Sequence, residues 1–218
     1  MRRRLLVTGG SGVLGRATIP LLRAEGHEID APTPTELDLF DPAAVSGAVD
    51  GTAAILHLAT HIPPRERARE SGAWAMDDRL RAEASRFLVD AALAAETESY
   101  VQPSVTFLYP AERVVDEETP LGDVPEHLRS ALVAEEQTAR FASAGRRGVV
   151  LRLGLLDGPG TGNELPDFRY GSTLHVGDAG RALAAALAVP SGVYNVCRDA
   201  EHVSNERFKR VSSWRPER

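Results

Sequence analysis

The sequence predicts an α/β fold with one doubly wound parallel sheet, strand order 3-2-1-4-5-6, covered by helices on both faces. Three observations support this prediction. Short apolar runs alternate with segments of helical period along the 218 residues. A glycine cluster directly follows the first apolar run, and a helical pattern follows the glycines. No repeat or linker divides the chain, so we expect one domain spanning 1–218.

Each predicted element comes from a local pattern. Strands are predicted at 5–8, 27–31, 53–60, 100–107, 148–153 and 192–196. Helical periodicity starts at Val13 and recurs over 74–95, about 125–145, after 179, and from about 203. Strands that alternate with helices favour parallel pairing, because each helix returns the chain to the same edge of the sheet.

Residues 8–15, Thr-Gly-Gly-Ser-Gly-Val-Leu-Gly, are the most informative stretch. The glycines are spaced Gly9-x-x-Gly12-x-x-Gly15, between a buried strand and a helix. A turn without Cβ atoms lets the backbone approach a pyrophosphate, and the new helix offers unpaired N–H groups and the positive end of its dipole. The loop therefore predicts dinucleotide binding. The alternative is a glycine-rich turn that binds nothing.

Composition excludes several classes of function. The net charge of -6 argues against a nucleic-acid partner, and no stretch has the length of a membrane span or of a signal-peptide core. The single cysteine, Cys197, excludes an internal disulfide and is typical of a reducing cytoplasm. No metal-ligand spacing occurs. We therefore expect a cytoplasmic monomer or homodimer that binds small molecules.

The end of the second strand bears on the choice of cofactor. An acidic residue there would bind the ribose 2′-hydroxyl of NAD. The sequence has the uncharged run 31–35 instead, with Asp30 still inside the strand. This leaves room for a 2′-phosphate, which Arg16 is suited to bind through two parallel hydrogen bonds. These residues favour NADP(H) over NAD(H); the alternative for Arg16 is a solvated helix position.

The glycine loop resembles the TGGxGxxG signature of the extended short-chain dehydrogenases/reductases, the NAD(P)-dependent epimerase/dehydratase superfamily. Residues 38–41 resemble its D-L-x-D element, 55–60 its "vvHlAa" segment, and 152–160 its "R…xGPG" turn. The resemblance implies a Rossmann-like fold with adenine contacts at 38–39 and ribose and nicotinamide contacts at 58–60 and 155. His57 is expected to be a neutral core residue. The loop and the resemblance together assign the cofactor to Gly9, Ser11, Gly12, Val13, Leu14, Gly15, Arg16, Asp38, Leu39, Leu58, Ala59, Thr60 and Leu155.

The resemblance fails at the catalytic Tyr-x-x-x-Lys pair, which the superfamily carries on the helix at about 125–145. Lys209 is the only lysine, and no such pair occurs. The register that fits best places Leu128 and Leu132 in the two positions; a shift by one residue places His127 and Ala131 there. His127 is then a candidate acid, with a solvated helix histidine as the alternative.

Ser104 and Thr106 are the candidate catalytic hydroxyls, because 100–110 occupies the place of the superfamily's fourth strand and its "SSxxVYG" sequel. Strict alignment from Tyr109 places Val105 in the catalytic position instead. The segments at about 61–75 and 160–175 are expected to cover the substrate, and the second is short where extended members insert a subdomain. The predicted substrate-binding residues are His61, Trp74, Tyr109 and Tyr170.

Two functional hypotheses follow. The first is an NADPH-dependent ketoreductase in which water, Ser104 or Thr106, or an acidic hydroxyl on the substrate replaces the missing acid. A phenol beside the ketone would serve, which points to an aromatic polyketide of the kind reduced by ketoreductases that tailor angucycline antibiotics. The second is a non-catalytic NAD(P)-sensing or regulatory protein, because a fold of this kind hosts both.

Overall fold

The computed structural model describes residues 3–110, 114–167, 171–199 and 202–217. Its strands are β1 (Arg4–Thr8), β2 (Glu28–Asp30), β3 (Ala54–His57), β4 (Ser99–Val105), β5 (Arg147–Leu153), β6 (Leu155–Asp157), β7 (Thr173–His175) and β8 (Gly192–Val196). Six of them form one parallel sheet in the order β2-β1-β3-β4-β5-β8, and β6 pairs with β7 separately. The predicted fold class, a Rossmann-like parallel sheet flanked by helices, is confirmed.

The strand order differs from 3-2-1-4-5-6 at one place. The third strand along the chain lies inside the sheet beside β1, and among the described residues no strand lies outside β2. The reason is the connection 31–41, which forms turns. Within it, the Glu36 carboxylate accepts hydrogen bonds from Thr33, and Asp41 caps the next helix. Along the chain, β2 is added on one side of β1 and β3 on the other. The strand order therefore changes direction between β1 and β3, and ligands bind at this switch point in doubly wound sheets.

The helices are α1 (Val13–Ala24), α2 (Pro42–Val49), α3 (Ala75–Arg79), α4 (Ser85–Ala94), α5 (Arg129–Ser143), α6 (Val176–Ala185) and α7 (Glu206–Val211). A π-helical turn, Leu80–Ala84, joins α3 to α4, so the helix predicted over 74–95 is present but contains a π turn that its periodicity did not predict. Short 3-10 turns occur at Thr106–Leu108, Glu126–Leu128 and Ala186–Ala188.

Alternation along the strands divides the core between the two faces of the sheet. Leu5 of β1 points to one face and packs with residues of α1 and α6, such as Leu22 and Leu183. Leu6 points to the other face and packs with residues of α2, α4 and α5. Each face buries its apolar side chains under helices, so the polar connections at the carboxyl ends of the strands are left to form a site. No helix within the described ranges is long and apolar enough to cross a membrane.

Candidate dinucleotide and substrate site

The glycines of the loop have different roles. A Cβ on Gly9, whose φ is +71°, would lie 2.6 Å from the backbone of Ala59, so this glycine lets the ends of β1 and β3 approach. A Cβ on Gly15 would lie 2.4 Å from the Gly10 carbonyl oxygen, so this glycine lets α1 pack on the loop. At Gly12 a Cβ would meet only the Gly9 carbonyl oxygen, at 3.1 Å. The space over Gly12 is therefore not needed by the protein's own packing.

Helix α1 begins directly behind that space. Gly12 is its N-cap and supplies no side-chain hydrogen bond, and the first turn carries no acidic residue. The first N–H groups of a helix have no partner within it, and the dipole there favours an anion. The cradle left open at Gly12 and the uncapped helix end fit a pyrophosphate, which is the group a nicotinamide dinucleotide would place there.

Arg16 adds positive charge beside the loop. Its Nη1 donates to the Ser11 carbonyl at 2.5 Å, and a Cβ on Gly160 would lie 3.0 Å from its Nη2. The exposed guanidinium therefore lies between the glycine loop and the turn after β6. The structure thus brings Arg16 close to Ser11, another of the residues predicted to bind the cofactor.

Glu36 is a carboxylate at the ribose end of the site that the sequence analysis missed. Asp30 is the last residue of β2, whereas the sequence analysis placed it inside a strand that continues to residue 31, and its carboxylate accepts a hydrogen bond from Arg4 at 2.9 Å. The Glu36 carboxylate folds back onto the turn after β2 and accepts from the Thr33 N–H and hydroxyl, both at 2.8 Å. These bonds lower the pKa of Glu36. The Glu36 carboxylate therefore adds a negative charge to this turn. This charge opposes the preference for NADP(H) that was inferred from the uncharged residues 31–35.

The other predicted cofactor residues lie at the same edge. Leu58 donates its N–H to the Thr8 carbonyl at 3.1 Å, so 58–60 runs beside the glycine loop. Asp38 accepts from the Phe40 N–H at 2.8 Å and is exposed, and Asp41 caps α2 through Ala43 and Ala44. Both interpretations of the D-L-x-D element, adenine contact and helix cap, remain compatible with this arrangement. Leu155 is half-buried at the start of β6.

His57 is the buried, hydrogen-bonded core residue that was expected. Its Nε2 lies 3.0 Å from the carbonyl oxygen of Leu80, which can only accept, so Nε2 carries the proton. Its Nδ1 then accepts from the Thr8 hydroxyl at 2.7 Å. Burial lowers the pKa of His57 to about 4, with the Leu80 bond opposing the shift. This neutral ring joins β1 and β3 to the π-helical turn.

The two candidate catalytic hydroxyls are buried and already hydrogen-bonded. Ser104 donates to Glu135 Oε1 at 2.5 Å. The Thr106 hydroxyl pairs with that of Ser172 at 2.8 Å. The catalytic roles of Ser104 and Thr106 stay predictions. The leucine at 128 is buried on the turn before α5, and no lysine stands on that helix.

Ser104 belongs to a buried polar network that sequence reasoning also missed. Glu135 accepts from Arg152 Nε at 3.0 Å and Nη2 at 2.6 Å, and Arg152 Nη1 donates to the Tyr109 hydroxyl at 2.7 Å. Tyr109 donates in turn to Asn195 Oδ1 at 3.0 Å. Burial would lower the pKa of Arg152, but the bonds to Glu135 outweigh it and raise this pKa. Burial raises the pKa of Tyr109, despite the nearby guanidinium, so this phenol is kept neutral.

Two further predicted substrate residues, His61 and Trp74, lie on the loop that follows β3 at the carboxyl edge. The Trp74 and His127 rings are stacked with centroids 5.1 Å apart and planes tilted by 38°. His61 is exposed, and its backbone N–H donates to Asp77 at 2.9 Å. Arg65 forms an ion pair with Asp167 at 3.7 Å, which links the two segments predicted to cover the substrate. Tyr170 and the neighbouring Phe168 lie outside the described residues.

Asp77 and Arg81 form a further buried charged pair near these loops. The Asp77 carboxylate is fully buried, 3.0 Å from Arg81 Nε. Within the described part of the chain, Asp77 Oδ2 and Arg81 Nη1 have no hydrogen-bond partner. The two residues have the i,i+4 spacing of a helical ion pair, so helical spacing could have revealed them in the sequence. The described residues contain no cluster of side chains that could hold a metal ion.

The fold and the glycine loop define a doubly wound dinucleotide-binding protein. A model of the NAD dependent epimerase/dehydratase family matches residues 5–170, and the chain belongs to this family. The function is accordingly of the NAD(P)-dependent epimerase or reductase type.

Two relatives are similar to this chain in sequence, and two solved structures are similar to it in fold. A "3-diazoavenalumate denitrifying reductase" from a Streptomyces species is 33% identical over 238 residues, covering 90% of this chain and 76% of that protein. The "Epimerase family protein SDR39U1" of Bos taurus is 28% identical over 241 residues, covering 95% and 79%. The UDP-Glc/GlcNAc 4-epimerase from Campylobacter jejuni superposes with a TM-score of 0.81 at 17% identity, covering 99% of this chain and 94% of that one. RMD from Pseudomonas aeruginosa, complexed with NADPH, superposes with a TM-score of 0.78 at 20% identity and the same coverage. At these identities the two structures establish the fold alone.

Proposed function

We propose that this chain is an NADP(H)-dependent reductase that transfers a hydride to an aromatic ketone without a tyrosine–lysine acid pair. One observation carries the proposal: the cradle at Gly12 is open, whereas the sequence contains no Tyr-x-x-x-Lys pair. The register that fits best places Leu128 and Leu132 at the positions of that pair. The family and the Streptomyces relative, a reductase by name, support reduction. Arg16 favours NADP(H), and Glu36 opposes this preference.

The chain's own residues would hold the cofactor by its charged parts. The N–H groups at the start of α1 and the open space over Gly12 are suited to the pyrophosphate. The guanidinium of Arg16 is suited to the 2′-phosphate. The backbone at 58–60 and the half-buried Leu155 would border the ribose and nicotinamide. The bound dinucleotide would supply the hydride.

The proton is the step that needs explanation. When the carbonyl carbon receives a hydride, the electron pair of the C=O π bond moves to oxygen, which must then bind a proton. Ser104 and Thr106 are buried and hydrogen-bonded, and Tyr109 is held in the network. A phenol next to the ketone can deliver its proton through an internal hydrogen bond, and well-oriented groups lower barriers by about 7–11 kcal/mol.

A diazo compound is a second candidate acceptor, favoured by the Streptomyces relative, whose name gives a diazo substrate and denitrification. An arenediazonium ion that receives a hydride on its terminal nitrogen becomes a neutral diazene. Loss of N2 from the diazene leaves the arene with that hydrogen on the ring carbon. This sequence balances without an added proton, so it also suits a site that lacks the acid pair.

A labelling experiment tests both acceptors. The purified chain is incubated with [4-2H]NADPH and three compounds: 2′-hydroxyacetophenone, its methyl ether, and an arenediazonium salt. We expect deuterium on the carbinol carbon of the first product and little conversion of the methyl ether; with the diazonium salt we expect ring deuterium and N2 release. NADPH binding without transfer to any acceptor would contradict the proposal and favour the sensor. Equal reduction of the methyl ether would contradict the substrate-delivered proton.

A further inference from the structure

Two loops meet at the carboxyl edge of the sheet through an aromatic pair. Trp74 ends the connection from β3 to α3, and His127 lies on the 3-10 turn that leads from the β4 side into α5. Their rings are stacked with centroids 5.1 Å apart. Because the strands are parallel, both connections lie at the edge where ligands bind. The pair therefore connects the loop after β3 to the loop after β4, at the same edge of the sheet as the glycine loop.

The indole is held in a fixed orientation. Trp74 Nε1 donates to the Ala68 carbonyl at 2.9 Å, which ties the ring to its own loop. The start of that loop is held by the bond from the His61 N–H to buried Asp77. His127 is exposed, and its ring lies against the indole of Trp74 with the two planes tilted by 38°. This contact uses the imidazole as an aromatic ring.

Exposed apolar side chains accompany the pair. Among the described residues only a few large apolar side chains are exposed, and Ile62 (63%), Met76 (41%) and Leu165 (78%) lie in or next to the two segments predicted to cover the substrate. The Arg65–Asp167 ion pair joins those segments. Apolar surface concentrated at a site entrance favours a ligand that would bury it.

We infer that Trp74 and His127 form an aromatic wall that selects a planar aromatic ring in the acceptor, and that His127 acts through its ring and not as a proton donor. The inference rests on the proposed function, since it names the class of acceptor for the same site. Aromatic pairs add about 0.5–1.5 kcal/mol beyond area burial, which corresponds to a preference of about two- to tenfold. The wall thus predicts that the protein binds an aromatic ligand more tightly than a saturated ligand with the same carbon skeleton.

Acetophenone and cyclohexyl methyl ketone provide matched probes, because they have the same carbon skeleton and differ in the aromatic ring. Each is titrated into the NADPH-saturated protein while NMR follows the indole N–H of Trp74, assigned by its loss in Trp74→Leu. We expect acetophenone to bind about two- to tenfold more tightly and to shift the Trp74 signal. In Trp74→Leu, titration followed by calorimetry should show equal affinities for the two ketones, with unchanged NADPH affinity.

His127→Phe and His127→Ala separate the two possible roles of the histidine. The wall predicts that His127→Phe keeps the aromatic preference, whereas His127→Ala weakens it and raises KM for 2′-hydroxyacetophenone more than it lowers kcat. Loss of kcat in His127→Phe, together with loss of a titration in the kcat profile, would identify an acid and overturn the inference. Equal affinity of the parent protein for both probes would also overturn it. Because the binding arm needs no turnover, a failed reductase assay with an intact aromatic preference would refute the proposed reaction alone.

Discussion

Replacing Gly12 with valine should abolish dinucleotide binding and leave the fold intact. Gly12 has φ of -71° and ψ of 177°, which any residue adopts, and its Cβ would contact only the Gly9 carbonyl, at 3.1 Å. The local backbone therefore needs to move by only a few tenths of an ångström. The same side chain would fill the space in front of the helix N-terminus. The substitution should therefore lower the affinity for the dinucleotide and leave the stability of the fold nearly unchanged.

The magnitude follows from the bonds that would be lost. Hydrogen bonds to a charged group contribute about 1.5–3 kcal/mol each. Two such bonds between the start of α1 and the pyrophosphate give about 3–6 kcal/mol, or a loss of about 10²- to 10⁴-fold in affinity. Gly47→Ala is the matched control, because Gly47 lies in α2 with no atom within 4 Å of its added Cβ. That variant should bind NADPH normally and be slightly stabilised, since alanine is the better helix former.

Calorimetric titration with NADPH and thermal unfolding measure the two quantities separately. We expect Gly12→Val to unfold within a few degrees of the parent and to show no measurable binding. Gly15→Ala is not a useful substitute, because its Cβ would lie 2.4 Å from the Gly10 carbonyl oxygen and disturb the fold. A folded Gly12→Val protein with parental NADPH affinity would refute the assignment of the loop.

Three further predictions concern charge, pH and the buried hydroxyls. Arg16→Ala should reduce the ratio of NADPH to NADH affinity, because it removes the cation proposed to bind the 2′-phosphate, and Glu36→Gln should increase the ratio, because it removes an anion from the turn after β2. Titration with both cofactors measures the ratios, and unchanged ratios would disprove these roles. Because burial lowers the pKa of His57 from 6.5 to about 4, the folded protein binds fewer protons than the unfolded chain between these values, so stability should fall by up to about 3 kcal/mol as the pH drops through that range. His57→Gln should flatten this part of the curve of unfolding free energy against pH, and an unaltered curve would show that another group titrates. Ser104→Ala and Thr106→Val should lower kcat by less than tenfold, whereas loss of a general acid costs about 10²–10⁴-fold, so steady-state kinetics distinguishes the outcomes.

The parts of the site that the sequence predicted are those fixed by local chemistry. Gly9, Gly12 and Gly15 each occupy a position whose requirement can be stated from their spacing and from the flanking strand and helix. The neutral, buried state of His57 followed from its place in an apolar strand. The strand order depended instead on the connection 31–41, where a bond from Thr33 to Glu36 holds a turn, and no strand of the described part of the chain lies outside β2. A hydrogen bond of this kind leaves no periodic pattern of apolar residues in the sequence, so periodicity could not predict it.

The buried network could not be predicted because its members are distant in sequence and adjacent only through strand register. Ser104 lies beside Arg152 and Arg152 beside Asn195 on β4, β5 and β8, and Glu135 reaches them from α5. A serine near the end of a strand, such as Ser104 in β4, therefore looks available in the sequence and is hydrogen-bonded in the structure. The π turn at Leu80–Ala84 is a similar case. It alters the helical register, but the spacing of apolar residues in the sequence still predicts one continuous helix.

The network also ranks the possible proton sources. For Ser104 to donate to a substrate, it must give up its bond to the Glu135 carboxylate, and bonds to charged groups contribute about 1.5–3 kcal/mol. The Thr106 hydroxyl bonds only neutral groups, the Ser172 hydroxyl at 2.8 Å and the Leu153 carbonyl at 3.4 Å. The one bond that it donates contributes about 0.5–1.5 kcal/mol, so Thr106 is the easier of the two to release. A hydroxyl on the substrate breaks neither bond. Delivery of the proton by the substrate therefore requires the least disruption of this chain, and Thr106 ranks ahead of Ser104 if a side chain takes part.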